Sequence, residues 1–326
     1  MRIPHSLRLC TLSLLAAAVL ALPARAETIT VTHWGSAFYG APYAVAMEKG
    51  FFKKRGVDIT GILTSAGGGT SVRNTLAGDL PFGEVALPAA IMAINSGQPL
   101  KFIGGGVESI ADILWITQKD SSINSIKDIV GKKVSFTSPG SVTNMLILMC
   151  MKAANIDRKD VTLLPAGGIG ANLSAVLNKA VDTGMTGEPT WSENKDKVKP
   201  AFWTKDCFPP EMTQTVMITT TEFAQTGGDK LRAIIAARRE GVEYIMKNPD
   251  ESADIVAKAY NGDPKLYREV FKNFVAINYY GDGRFNFKGM DRMAEGMELV
   301  GQIKGKPDWK SMIDPSFLPK DLVPTQ

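Results

Sequence analysis

The chain has 326 residues, with 37 Lys and Arg against 33 Asp and Glu, 44% hydrophobic and 21% charged residues. That ordinary globular balance excludes a disordered, collagen-like or coiled-coil protein, and the length suggests about two domains. The formal charge of +4 carries no argument for nucleic-acid binding, because three of the basic residues fall in a segment that reads as a removable leader.

Residues 1–26 have the layout of a secretory signal peptide. Arg2 and Arg8 form a basic start, 11–22 is an uncharged Leu/Ala-rich run, and Ala24-Arg25-Ala26 is an A-x-A cleavage site. The run is too short to span a bilayer, which takes about 20 apolar residues. Removing the segment takes away Arg2, Arg8 and Arg25, so 34 basic residues face 33 acidic ones. The expected product starts at Glu27, is soluble and monomeric, and works in the periplasm. It keeps Cys150 and Cys207. Export permits a disulfide between them, but Cys150 lies in an apolar run, and a buried free thiol is the plainer reading.

From residue 27 strands and helices alternate. Strand 28–32 leads through a loop to a helix at 42–47, then strand 57–63, loop 65–70, helix 71–77, strand 82–87 and helix 88–95, followed by apolar strands at 100–104 and 113–118. The pattern then restarts. A short helix at 125–130 precedes strand 133–137, loop 138–141, helix 142–154, strand 161–164, loop 167–170 and helix 171–179. A third block opens with strand 215–219 and continues into helices 229–246 and 249–260. The last has Asn248 placed as N-cap, Pro249 at the first helical position and Glu251 at the third. Such alternation argues for α/β architecture with mostly parallel sheets flanked by helices. The restart and return suggest one lobe (27–117 and 213–326) with a second (118–212) inserted into it.

Several chemistries are excluded by what is missing. The only histidine after residue 26 is His33, so a Ser-His-Asp or Cys-His site would have to use it, and no G-x-S-x-G turn is present. No C-x-x-C, H-E-x-x-H, phosphate loop or dinucleotide fingerprint occurs, so neither a metal nor a cofactor is expected. His33 is equally well explained as a structural hydrogen-bonder or as a ligand contact. The charged run 193–199 reads as a solvated face.

One local device recurs four times: a strand runs into a small-residue loop that opens a helix. The loops are Gly35-Ser36 to Gly40, Gly67 to Thr70, Ser138 to Ser141 with Thr143 in the following turn, and Gly167-Gly168-Ile169-Gly170. Helix N-termini offer unpaired N–H groups and partial positive charge, glycines admit close approach, and hydroxyls add donors. In parallel sheets these loops gather at the carboxyl ends of strands, where α/β proteins bind ligands. The candidate ligand contacts are therefore Ser36, Gly69, Thr70, Ser138, Ser141, Thr143 and Gly168. Turn punctuation and helix capping explain any single loop as well.

The order and spacing of several stretches resemble a family. They are 41–52 (APYAVAMEKGFF) with 56–59 (GVDI), 78–83 (GDLPFG), 88–99 (PAAIMAINSGQP), 125–134 (SIKDIVGKKV), 181–182 (VD), 188–189 (EP) and 248–254 (NPDESAD). Together they resemble the periplasmic substrate-binding proteins of ABC importers for nitrate, taurine and alkanesulfonates. That family includes binders of thiamine-type pyrimidine precursors and is similar to a pyrimidine-synthesising enzyme. The resemblance implies a two-lobed type II periplasmic-binding-protein fold with two crossovers. It implies a small organic ligand in the cleft, closure about a hinge, and a membrane permease as partner, without enzymatic turnover. Two alternatives stay open: a pyrimidine-synthase-like enzyme, and a sensor partner that presents its ligand to a receptor.

Two features depart from a simple anion binder. Glu84 stands at a strand end where such proteins usually carry a small or apolar residue. Trp34, Phe38 and Tyr39 sit in the first loop, and Trp191 follows Glu188-Pro189. A carboxylate facing the cleft would suit an amine or ring N–H, and aromatic walls a planar or apolar body. Against this, Glu84 could pair with a nearby Arg or Lys, and the aromatics could be lobe core. The ligand expected from this reading is a small organic anion or zwitterion, touching Glu84, Glu188 and the aromatics at one end and the helix-opening loops at the other.

Overall fold

The structure is a computed structural model that describes residues 27–65 and 67–324. The expected signal peptide, 1–26, lies outside the described residues. The first run comprises β1 (Glu27–Thr32), α1 (Ala41–Glu48), α2 (Phe51–Lys54), β2 (Ile59–Ser65), α3 (Gly68–Ala77), β3 (Phe82–Ala86), α4 (Leu87–Asn95) and β4 (Leu100–Gly105). The second holds β5 (Leu114–Gln118), β6 (Lys133–Phe136), α5 (Val142–Ala153), β7 (Thr162–Pro165), α6 (Ile169–Leu177), β8 (Thr183–Thr186), α7 (Thr190–Asn194) and β9 (Val198–Trp203). The third returns with β10 (Thr215–Thr220), α8 (Thr221–Thr226), α9 (Gly228–Lys247), α10 (Pro249–Tyr260), α11 (Pro264–Ala276), α12 (Phe287–Leu299) and α13 (Trp309–Met312).

Two five-stranded sheets result, ordered β2-β1-β3-β10-β4 and β7-β6-β8-β5-β9. In the first, β1 runs parallel to β2 and β3. In the second, β6 runs parallel to β7 and β8. Each sheet has one strand antiparallel to both its neighbours: β10 in the first and β5 in the second. Both are the strands that enter from the other lobe, so they arrive in the reverse direction. The sheets are therefore mixed, although mostly parallel, as expected. The strand pairing places Leu114–Gln118 in the second sheet, so the first crossover is residues 106–113 rather than a break after 117. The second crossover is residues 204–214.

Burial follows the sequence pattern. In β1 and β3, Ile29, Val31, Phe82 and Val85 are sealed from solvent, as strands covered on both faces must be. In α9, Leu231, Ile234, Ile235, Val242 and Ile245 are buried, the spacing of one helical face. The helix α12 packs on α4 of the first lobe and on α5 of the second. Gly296 permits the latter contact, since a Cβ there would meet Met149 Sδ at 2.8 Å.

Three local expectations are corrected. Asn248 stands at the N-cap position of α10 with Pro249 after it, but its side chain makes no cap hydrogen bond. Glu251 bonds instead to Lys49 and Tyr244. Part of the charged run 193–199 enters β9, where Val198 is fully buried. Cys150 is buried as expected, but it is joined to Cys207 in a disulfide. The inner face of α5 meets the single turn Thr204–Asp206 after β9, which brings the Cys150 and Cys207 sulfurs together at the start of the second crossover. Among the described residues, no helix is long and apolar enough to cross a membrane.

Candidate functional site

The carboxyl ends of the parallel strands face a cavity of about 410 Å³. The first lobe contributes Thr32 and His33 after β1, Tyr39, Gly67 to Gly69 at the start of α3, and Pro88, Ala89 and Met92 of α4. The second contributes the loop 137–143, Ile169, Met185, Gly187 and Glu188. Asp112 and Ile113 come from the first crossover, Gln214 from the second, Thr215 from the strand it feeds, and Gln302 from the segment after α12. Among the described residues, no lysine or arginine lines the cavity.

One side of the cavity is built from donors. Gly67 caps α3 without a side-chain hydrogen bond, so the first amides of that helix stay open to a ligand. In the opposite lobe Ser141 caps α5, its Oγ accepting from the Asn144 amide at 3.2 Å. Ser141, Thr137 and Thr143 form a hydroxyl triangle with 2.8–3.0 Å edges. Thr143 Oγ1 also accepts from the Thr137 amide at 3.0 Å. That bond changes the reading of Thr143: its hydroxyl holds the loop as well as facing the cavity.

The other side is acidic. Asp112 accepts from Tyr279 Oη at 2.9 Å and from Gln214 Nε2 at 3.0 Å. Burial pushes its carboxyl up to about 7. Glu188 accepts from the hydroxyl and amide of Ser192 at 3.0 and 3.3 Å. Burial likewise pushes it up to about 7. His33 is carried down to about 4 by burial, so the imidazole is neutral at ordinary pH and adds no positive charge. Tyr39 lies at the junction: its hydroxyl donates to Gln214 Oε1 at 2.8 Å, and burial raises it well above its usual range.

Of the residues singled out from the sequence, Tyr39, Gly69, Ser138, Ser141, Thr143 and Glu188 line the cavity together. The others lie elsewhere. Glu84 is sealed in the first lobe, where it accepts from Arg238 Nε at 2.7 Å, Tyr43 Oη at 2.8 Å and Thr215 Oγ1 at 2.6 Å. It is the structural ion pair that stood as its alternative. Phe38 is core, ringed by Tyr260, Tyr267, Phe271 and Phe274. Trp34 packs edge-on against Tyr260 at 4.6 Å. Trp191 packs against Trp203 at the small core of the second lobe. Ser36 folds back on the His33 carbonyl. Thr70 is exposed and accepts from Arg73. Gly168 caps α6, leaving its neighbour Ile169 to face the cavity.

Sequence reasoning missed Asp112, Gln214, Met92, Met185 and Gln302. One signal was present: Glu108 and Asp112 are the only charges between the apolar strands at 100–104 and 113–118, apart from Lys101. Acids in so short and apolar a connector need a reason. Contacts also cross the cleft. Gln302 Nε2 donates to the Gly140 carbonyl at 2.9 Å, Tyr267 Oη donates to Glu193 at 2.8 Å, and Ala37 bridges to Pro189.

This arrangement, two sheets joined by two crossovers over a shared cavity, is matched by known proteins. The model of the family described as NMT1/THI5 like matches residues 37–252. The chain belongs to the NMT1/THI5-like family. A formylaminopyrimidine-binding protein from Halalkalibacterium halodurans is 26% identical over 216 residues, covering 65% of this chain and 64% of that protein. This family member thus spans just under two thirds of that relative's length. A 4-amino-5-hydroxymethyl-2-methylpyrimidine phosphate synthase from Legionella pneumophila is 28% identical over 262 residues, covering 76% and 78%. The crystal structure of the periplasmic aliphatic sulphonate binding protein SsuA from Escherichia coli superposes with a TM-score of 0.71 at 16% identity, covering 88% of this chain and 97% of that one. The shared fold is that of type II periplasmic binding proteins.

Proposed function

We propose that the protein is the solute-binding component of an ABC importer, exported to the periplasm after cleavage at Ala26. It captures a small organic solute between lobes 27–113 and 205–326 on one side and 114–204 on the other, and hands it to a membrane permease. The observation that carries this reading is the cavity itself. Both lobes, both crossovers and the segment after α12 contribute to its lining, so closing the lobes and enclosing a ligand are one event. A ligand that bridges them favours the closed state by its differential contacts there.

The lining also narrows the solute. Open amides and hydroxyls on one side suit an acceptor or anionic group, and the Asp112 and Glu188 carboxyls on the other suit an amine or ring N–H. Met92, Ile113, Ile169 and Met185 cover an apolar body between them. A zwitterion such as an aminosulfonate and an aminopyrimidine both meet that description. The likeness to a formylaminopyrimidine-binding protein supports the second. Micromolar affinity needs about −8 kcal/mol, and an exposed helix end supplies only about 0.3–1 kcal/mol. Apolar burial and direct hydrogen bonds must therefore supply most of it.

Binding rather than turnover is the reading for this chain. Both described cysteines are bonded to each other, and the His33 imidazole at the cavity lies edge-on to the Tyr39 ring at 6.3 Å, with no nucleophile paired with it among the described residues. Thermal shift followed by calorimetry against sulfonates, aromatic carboxylates and aminopyrimidines tests the proposal. A melting temperature unmoved by all three classes refutes it, and release of a chemically altered ligand by the purified protein establishes the synthase-type reading in its place.

A further inference from the structure

Two buried carboxylates near the first crossover meet opposite fates. Glu84 has a guanidinium at 2.7 Å. Asp112, 5% exposed and lining the cavity, has only neutral donors: Gln214 Nε2, Tyr279 Oη and its own backbone amide. Those donors are themselves fixed. Gln214 accepts from Tyr39 through Oε1 and gives its amide to the Ser109 carbonyl as well. Three neutral donors thus reach the Asp112 carboxylate, whose roughly four lone-pair sites leave room for one more. Among the described residues no cation lines the cavity to supply it, and the other carboxylic acid there, Glu188, has the same sign. A buried carboxylate without a counter-charge is costly unless something meets it. Here the open direction is the ligand space.

We propose that Asp112 is the specificity-determining residue of this cavity: it selects solutes that bring an amine or a ring N–H donor and rejects otherwise identical solutes that lack one. The inference rests on the solute-binding reading. Gluing the two crossovers through Gln214 would account for the same hydrogen bonds, but it would leave ligand preference untouched, and that difference is measurable.

Matched probes separate the two roles: 2-aminoethanesulfonate against 2-hydroxyethanesulfonate, and 4-amino-2-methylpyrimidine against 2-methylpyrimidine. The wild type should bind the amino member of at least one pair tenfold or more tighter, the range a hydrogen bond to a charged group supplies. Asp112→Asn keeps the shape and should reduce that preference to within about threefold, mainly by weakening the amino member. A preference that survives Asp112→Asn overturns the inference, as does a wild type that binds the members of each pair equally. Equal binding leaves the solute-binding reading standing, whereas no binding of any probe by either protein overturns that reading and the inference with it.

A second readout needs no change at Asp112. The titratable groups facing Asp112 are Tyr39, Tyr279 and Tyr280, all held well above their usual range, and Glu188. In a Glu188→Gln background, lowering the pH from 8 to 5.5 protonates Asp112 and should shrink the amino preference severalfold. An unchanged preference overturns the inference.

Discussion

Replacing Glu84 by alanine should unfold the protein at a much lower temperature without altering which ligands it binds. The carboxylate joins four elements: β3, which carries it, α9 through Arg238, α1 through Tyr43, and β10 through Thr215. Both charged side chains are fully buried. Burial opposes the charge on Arg238, yet Glu84 more than offsets this and holds the guanidinium above its ordinary value. It cannot shed its proton, so Glu84→Ala leaves a buried cation with no counter-charge, held only by the neutral Gly281 carbonyl and Tyr43. Breaking one side of a buried pair costs about 3–5 kcal/mol, and the Tyr43 and Thr215 hydroxyls each lose an acceptor worth about 1 kcal/mol. For a chain of this size each kcal/mol moves the melting temperature by about 2–4 °C, so a drop of roughly 10–28 °C is expected. Differential scanning calorimetry measures it, and the double variant Glu84→Gln with Arg238→Met should recover much of the loss, because the unpaired charge is gone. A single variant that melts within about 2 °C of the wild type but changes ligand preference would refute this reasoning and return Glu84 to the binding site.

Thr143→Val removes the acceptor of the buried Thr137 amide, so it should lower unliganded stability by about 1–3 kcal/mol as well as weakening ligand binding, as read by urea unfolding and calorimetry. Unchanged stability would show that the hydroxyl does not hold the loop. The double variant Cys150→Ser with Cys207→Ser opens a loop of 57 residues, for which chain entropy gives about 4 kcal/mol. A loss of roughly 2–4 kcal/mol in urea unfolding is expected, with ligand affinity kept in the folded fraction. The pH dependence of unliganded stability has a sign. Glu108, pushed up to about 8 by burial, and Asp112 and Glu188, at about 7, hold protons that the unfolded chain releases near its ordinary carboxylate range. The fold therefore loses stability as pH rises through those values. His33 acts in the opposite sense, but only below about 6.5. Between pH 6.5 and 8.5 the melting temperature should fall, and a flat or rising profile would count against the buried state of these acids.

What was legible in the sequence was local. The alternation of β-branched runs and helix-opening glycines located β1, β3, α3 and α5, and Ser141 caps α5 where a cap was expected. The crossing strands were harder. Leu114–Gln118 reads as a strand in sequence, but nothing in its residues says which sheet it joins. That is decided by pairing with Thr183–Thr186 and Val198–Trp203, neither of which is named as a strand in the sequence analysis. Glu84 shows the same limit. An acid among the apolar residues of a strand announces that it needs a partner, but that partner is 154 positions away on α9. No spacing rule reaches that far.

The same division runs through the cavity, and it explains why the ligand's two ends were unequally visible. The donor side comes from segments whose chemistry is contiguous: Gly67 to Gly69 opening α3, and Thr137 to Thr143 opening α5. A helix N-terminus announces itself within four or five residues. The acidic side is assembled by the fold. Asp112 lies on one crossover, Gln214 on the other, Tyr39 in the first loop and Tyr279 beyond α11. Each is unremarkable in its own stretch of chain. Their hydrogen-bonded line exists only once both crossovers lie side by side. Asp112 and Gln214 sit on the two crossovers, so under the proposed closure about those segments a ligand that engages Asp112 would touch the hinge directly. Recognition and closure then share the same residues, which is the coupling a binding protein needs if a permease is to tell its loaded form from its empty one.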